Sequence, residues 1–162
     1  MLPLSLGAFV EFLIIITDNY FLSQVSADAL NGAGTSAMMY ITATMVGMGL
    51  SNGSQILMAR RFGAGDKIGV GYLFANGVIL MLITATTMYV VLELITHFWL
   101  PSWLRSESLL VVMQEFLDIR VYGLFFYLTT MMFMAFHTGI AQTRILFATA
   151  LLTAGINIFL DY

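Results

Sequence analysis

Five long apolar runs dominate this chain, at about residues 2–22, 36–59, 70–96, 119–139 and 145–162. Spanning a bilayer as a helix takes about 20 largely apolar residues, and each run approaches or meets that length between polar or charged flanks. Membrane strands would instead alternate in units of about ten residues, and no such alternation is present. The runs therefore predict an all-α, polytopic integral membrane helix bundle with five transmembrane helices. With 60% hydrophobic and 9% charged residues among 162, the composition lies far from that of a soluble domain. No repeat or linker divides the chain, so residues 1–162 read as one transmembrane unit. The first run carries Glu11 and Asp18, which does not fit a cleaved leader with a basic start.

Charge sets orientation and removes one class of partner. Arg60, Arg61, Lys67 and Arg144 fall on one side of the expected helices, and Arg105 and Arg120 on the other. Cytoplasmic loops collect Lys and Arg, so the N-terminus is expected in the cytoplasm. A net charge of -3 without a basic cluster argues against nucleic acid. The absence of cysteine excludes disulfides and thiolate metal sites. Between the third and fourth runs, Trp99 and Trp103 flank Pro101 as interfacial anchors. The stretch after Arg105 reads equally as a short amphipathic surface helix or as a leader into the fourth span.

Acids inside apolar helices are the main functional signal. An Asp at mid-membrane costs roughly 2.5–3.5 kcal/mol on insertion scales, so it is expected to face a bundle interior or a wet cavity. Asp18 lies fifteen residues beyond Pro3, and Asp161 sixteen beyond Ile145. At about 1.5 Å per residue, helices running the same way bring both acids to a similar depth, where they can share a site. Thr149, Thr153, Asn157 and Asp161 recur every four residues and form one polar stripe. The two Thr are read as helix-to-helix hydrogen bonders, with Thr153 also a candidate for cavity lining, and Asn157 and Asp161 as functional.

Other polar residues are candidates for a proton path or cavity lining. Glu11 lies seven residues before Asp18, on nearly the same face, as a proton step or a cavity acid. Thr44, Ser51 and Gln55 share a face of the second helix, and Tyr122 and Thr129 form the expected inward pair of the fourth. Gly49 and Gly53 have the small-xxx-small spacing of close helix packing. Gly63 to Asp66 reads as a turn between helices rather than a phosphate loop. His97 and His137 show no metal-ligand spacing and stay unassigned. No nucleophile elbow or triad is present, so the chain is not read as an enzyme.

With these residues in place, the chain resembles the N-terminal part of the multidrug and toxic compound extrusion (MATE) family of antiporters. The likeness rests on "LPLSLGAFVEFLIIITDNYFLSQVSADALNGAG", then "SQILMARRFGAGDK", then "GIAQTR" followed by "NIFLDY", in family order over nearly the whole chain. It implies two six-helix lobes, of which these five helices are most of the N-lobe, with the sixth helix and the second half of the protein missing. On that resemblance the protein exports drugs or other organic, often cationic, compounds across the cytoplasmic membrane, driven by inward Na+ or H+, with no other cofactor and with membrane lipid around it. The family's cation site maps onto Asp18, Asn157 and Asp161, the only place where a metal ion, Na+, is expected. Glu11 matches no defining family acid. The fragment is not expected to transport alone.

Two further readings follow from the residues. A flippase for lipid-linked precursors would want basic residues inside the spans for pyrophosphate, and none is central here. An intramembrane enzyme would use Asp18 and Asp161 as a carboxylate pair, and a purely structural subunit would have little use for two buried acids.

Overall fold

The computed structural model describes residues 12, 16, 20 and 27–160; side chains at 27–29, 143, 154 and 157–160 lie outside that description. Among the described residues the chain is helical, without strands. Helix α1 spans Ala27–Gly63, α2 Lys67–Leu94, a π-helical turn Ile95–Trp99, α3 Leu100–Trp103, α4 Glu107–Arg120, α5 Gly123–Gly139 and α6 Thr143–Leu160. Phe12, Ile16 and Tyr20 are also helical and exposed.

Two tight turns set the topology. Gly65 adopts φ 77°, a left-handed conformation that glycine takes without steric cost. Asp66 then caps α2, its carboxylate accepting from the Gly69 N–H at 2.8 Å. The stretch from Gly63 to Asp66 is thus the expected turn, and it sends α2 back along α1. Between α5 and α6, Ala141 sits at φ 60° while the Gln142 N–H closes on the His137 carbonyl at 2.8 Å. This is a left-handed helix terminus, with alanine where glycine is usual.

Helix α5 fills the groove between α1 and α2. Its contacts with α1 advance together along both chains: Gly123 near Tyr40, Leu128 over Gly47, Gly139 against Gln55 and Met58. Those with α2 run in reverse, from Tyr89 beside Tyr122 to Phe74 beside Phe133 and Phe136. So α5 is parallel to α1 and antiparallel to α2. The core between them is Met58, Met81, Ala85, Leu124, Leu128 and Met132, none of which has exposed surface. Small residues admit the close approach. They are Gly47, Gly77 and Gly139, whose missing side chains make room for Leu128, Met132 and the Gln55 backbone respectively. Gly49 and Gly53, the pair expected to pack, have nothing near them among the described residues.

The helix bounds depart from the apolar runs in two places. Helix α1 begins at Ala27, well before the run at 36–59, because the small residues of 27–36 let α4 lie close; Val112 occupies the space beside Gly32. The third run does not end near residue 96: Lys67–Trp103 is one rod of 37 residues, long and apolar enough to cross a membrane. Proline explains the π turn within it. Pro101 has no N–H and cannot continue the ladder, and the Leu100 N–H reaches back five residues to the Ile95 carbonyl. The Thr96 carbonyl, deprived of both partners, accepts instead from Gln114 Nε2 of α4 at 3.2 Å.

The stretch after Arg105 is helical and leads into the next helix. It forms α4, which buries Met113 and Leu117. It also leads into α5 across a 49° bend, and the pair has the length and apolarity of one broken span. Little of the apolar window in Lys67–Trp103 is buried within the chain. Ile68, Tyr72 and Phe126 are largely exposed, as suits a bundle that meets lipid or further helices rather than a soluble core.

Candidate functional site

The cation-site residues expected from sequence, Asp18 and Asp161, lie outside the described residues, as does Glu11. Asn157 falls within α6, but its side chain is also outside them. Helix α6 does run through the Thr149, Thr153 and Asn157 positions without a break, which keeps their four-residue spacing on one face. Thr149 turns its hydroxyl back to the Leu146 carbonyl at 2.9 Å, and Thr153 is exposed.

The candidate lining residues are distributed over two interfaces. Thr44 and Ser51 are buried where α1 meets α5. The Thr44 hydroxyl donates to the Ile41 carbonyl at 2.8 Å, and Ser51 donates across the interface to the Met131 carbonyl at 2.9 Å. Gln55 is half-buried on the same side. Thr129 donates to the Phe125 carbonyl at 2.6 Å. These hydroxyls are satisfied by backbone carbonyls, that of Ser51 across the α1–α5 seam. Tyr122, paired with Thr129 in sequence reasoning, belongs to another neighbourhood. It stacks on Tyr89 with ring centroids 5.6 Å apart, and 58% of its surface is exposed.

That second neighbourhood contains a cluster that sequence reasoning missed. His97 Nε2 lies 3.3 Å from Glu93 Oε2 and 3.2 Å from Asp118 Oδ1. The Tyr89 ring, one turn before Glu93 on α2, packs against Tyr122 beside this cluster. Sequence reasoning gave His97 no carboxylate partners. The Glu93–His97 spacing of four residues was a legible signal. Asp118 was not, because α4 brings it to His97 from twenty-one residues away.

Basic residues gather at the opposite end of the bundle. The parallel course of α1 and α5 puts Arg60 and Arg61 at the same end as Arg144 and Lys67. Arg61 Nη1 donates to Asp66 Oδ2 at 2.6 Å. This bond, followed by that from the Gly69 N–H, holds the Asp66 carboxyl below its usual range. A groove of about 570 Å³ opens beside this pair, lined by Leu57, Arg60, Leu73 and their neighbours. Arg120, at the other end, lies over the rings of Tyr40 at 5.0 Å and Phe116 at 5.3 Å.

Comparison with known proteins bears on what this bundle belongs to. The MatE family model matches residues 3–162. A probable multidrug resistance protein NorM from Thermotoga maritima is 26% identical over 158 residues, covering 94% of this chain and 33% of the relative. Another protein of that description, from Synechocystis, is 25% identical over 126 residues, covering 76% of this chain and 26% of the relative. The chain thus spans about a third or less of the curated relatives it matches. No solved structure gives a significant match.

Proposed function

Because the chain belongs to the MatE family, we propose that it is part of the N-terminal lobe of a cation-coupled antiporter that exports drugs or other organic, often cationic, compounds across the cytoplasmic membrane. The family match over residues 3–162 carries this reading. It is supported by the helical bundle, in which Lys67–Trp103 and the bent pair Glu107–Arg120 with Gly123–Gly139 have the length and apolarity of spans, and by the segregation of Arg60, Arg61, Lys67 and Arg144 to one end, which is taken as cytoplasmic.

In this reading Asp18, Asn157 and Asp161 hold the coupling ion, H+ or Na+. A carboxylate drawn from water into a low-dielectric cavity is poorly solvated as an anion, and binding a proton or a cation offsets that cost. Asn157, one turn from Asp161, supplies a neutral donor and acceptor that completes the coordination. Loading the site changes the charge facing the first helix and so its packing, which couples ion entry to substrate release. The packed α1–α2–α5 core acts as the body against which that helix moves.

Efflux of a fluorescent cationic drug from energised vesicles carrying the full-length protein tests the proposal. Asp18→Asn at normal protein levels is expected to abolish ion-coupled efflux. Undiminished, ion-dependent efflux in that variant would refute the role given to Asp18.

A further inference from the structure

At the end of the bundle away from the arginine-bearing turn, three donor atoms from two helical segments converge. Glu93 ends α2, His97 lies one turn further in the π turn, and Asp118 comes from α4. One ligand atom from each lies within 4.8 Å of the others. Both carboxylates address the same imidazole nitrogen, Nε2. A neutral imidazole nitrogen offers either one hydrogen or one lone pair. A single hydrogen aligns well with only one acceptor at a time, and a lone pair would face two anions. A cation between the three atoms satisfies all of them together and offsets the repulsion between the two carboxylates.

The two nitrogen-to-oxygen separations fit a small cation, and the imidazole narrows its class. Donors held at roughly 2.0–2.1 Å around a tetrahedral ion stand about 3.3–3.4 Å apart, the distances expected for imidazole and carboxylate on Zn2+. The two nitrogen-to-oxygen separations here are 3.3 and 3.2 Å. Ca2+ and Mg2+ prefer all-oxygen shells, whereas imidazole suits Zn2+ and its neighbours. We propose that Glu93, His97 and Asp118 bind one divalent transition-metal ion of the Zn2+ class, which clips α2 to α4 and leaves a coordination position for water.

The surroundings suit such a clip. The three side chains are 29%, 43% and 47% exposed for Glu93, His97 and Asp118, so an ion can reach them from water. Trp99 and Trp103, strongly exposed just beyond, place the cluster at a membrane interface. Gln114 ties α4 to the π turn through the Thr96 carbonyl, which holds together the two segments that carry His97 and Asp118. These residues are distinct from the candidate coupling-ion set on the first and fifth spans, and the proposal does not depend on the transport reading.

Isothermal titration of the metal-stripped full-length protein in detergent with ZnCl2 tests it, alongside His97→Ala, Asp118→Asn and the near-isosteric Glu93→Gln. The expected result is one equivalent of Zn2+ per wild-type chain, weakened at least about tenfold in each variant that elutes as a monodisperse peak. Zn2+ should also raise the wild-type melting temperature, as a ligand that binds only the folded state must. Absence of Zn2+ uptake by the wild type would overturn the proposal and leave a plain His97 ion pair. Uptake that all folded variants retain unchanged would overturn it equally.

Discussion

Ala141 and Asp66 hold the two turns that fold this bundle, and each does so by a different device. Ala141 adopts φ 60° at the terminus of α5, where a Cβ crowds the following carbonyl. Ala141→Gly should therefore stabilise the protein by about 1 kcal/mol, read as a higher melting temperature in detergent. Asp66 works through charge, because Arg61 and the Gly69 N–H favour its ionised form in the folded state. Its folded pKa lies below the unfolded value of 3.8. The stability it contributes is thus complete above that pH and is lost as pH falls through the folded pKa. Thermal unfolding from about pH 5 to about pH 3 should show a steeper acid loss in the wild type than in Asp66→Asn. Equal slopes would contradict the role given to the Arg61–Asp66 pair.

Among the elements, the joint between α1 and α5 is where glycine matters most. A Cβ at Gly139 would stand 3.2 Å from the Gln55 carbonyl oxygen and 3.3 Å from Met58 Cβ, and backbone cannot yield as a flexible side chain does. Gly139→Leu is expected to cost about 1–3 kcal/mol by overpacking, measured as a lower melting temperature and weaker expression. This joint was not legible in sequence. Gly139 reads only as the last residue of the fourth apolar run, and the spacing of Gly49 and Gly53 pointed to a different contact, which faces open space among the described residues. Helices α2, α5 and α6 were legible because their apolar runs are long and continuous. The early start of α1 was hidden by a Gly-, Ser- and Thr-rich stretch that reads as a loop until α4 packs on it. The α4 helix and the π turn depend on a single Pro101 and on the tertiary bond from Gln114 to Thr96. Of the candidate site, the polar residues could be named from spacing. What they touch could not, since Ser51 meets Met131 and His97 meets Asp118 only through packing.

For the whole molecule, the segregation of arginines predicts how the bundle sits in the membrane. This chain has no cysteine, so single reporters can be introduced in a full-length background cleared of other reactive thiols. With the arginine-bearing turn in the cytoplasm, Ala64→Cys should react with an impermeant maleimide only after permeabilisation, and Ser102→Cys in intact cells. The reverse pattern would invert the topology. If Asp18 and Asp161 serve one coupling ion, as proposed, the effects of replacing them are not additive. Ion-driven efflux should be compared in energised vesicles carrying full-length wild type, Asp18→Asn, Asp161→Asn and the double variant at matched protein levels. Each single variant is expected to lose coupling, and the double variant to be no worse than either. Undiminished ion-coupled efflux in either single variant would contradict that proposal.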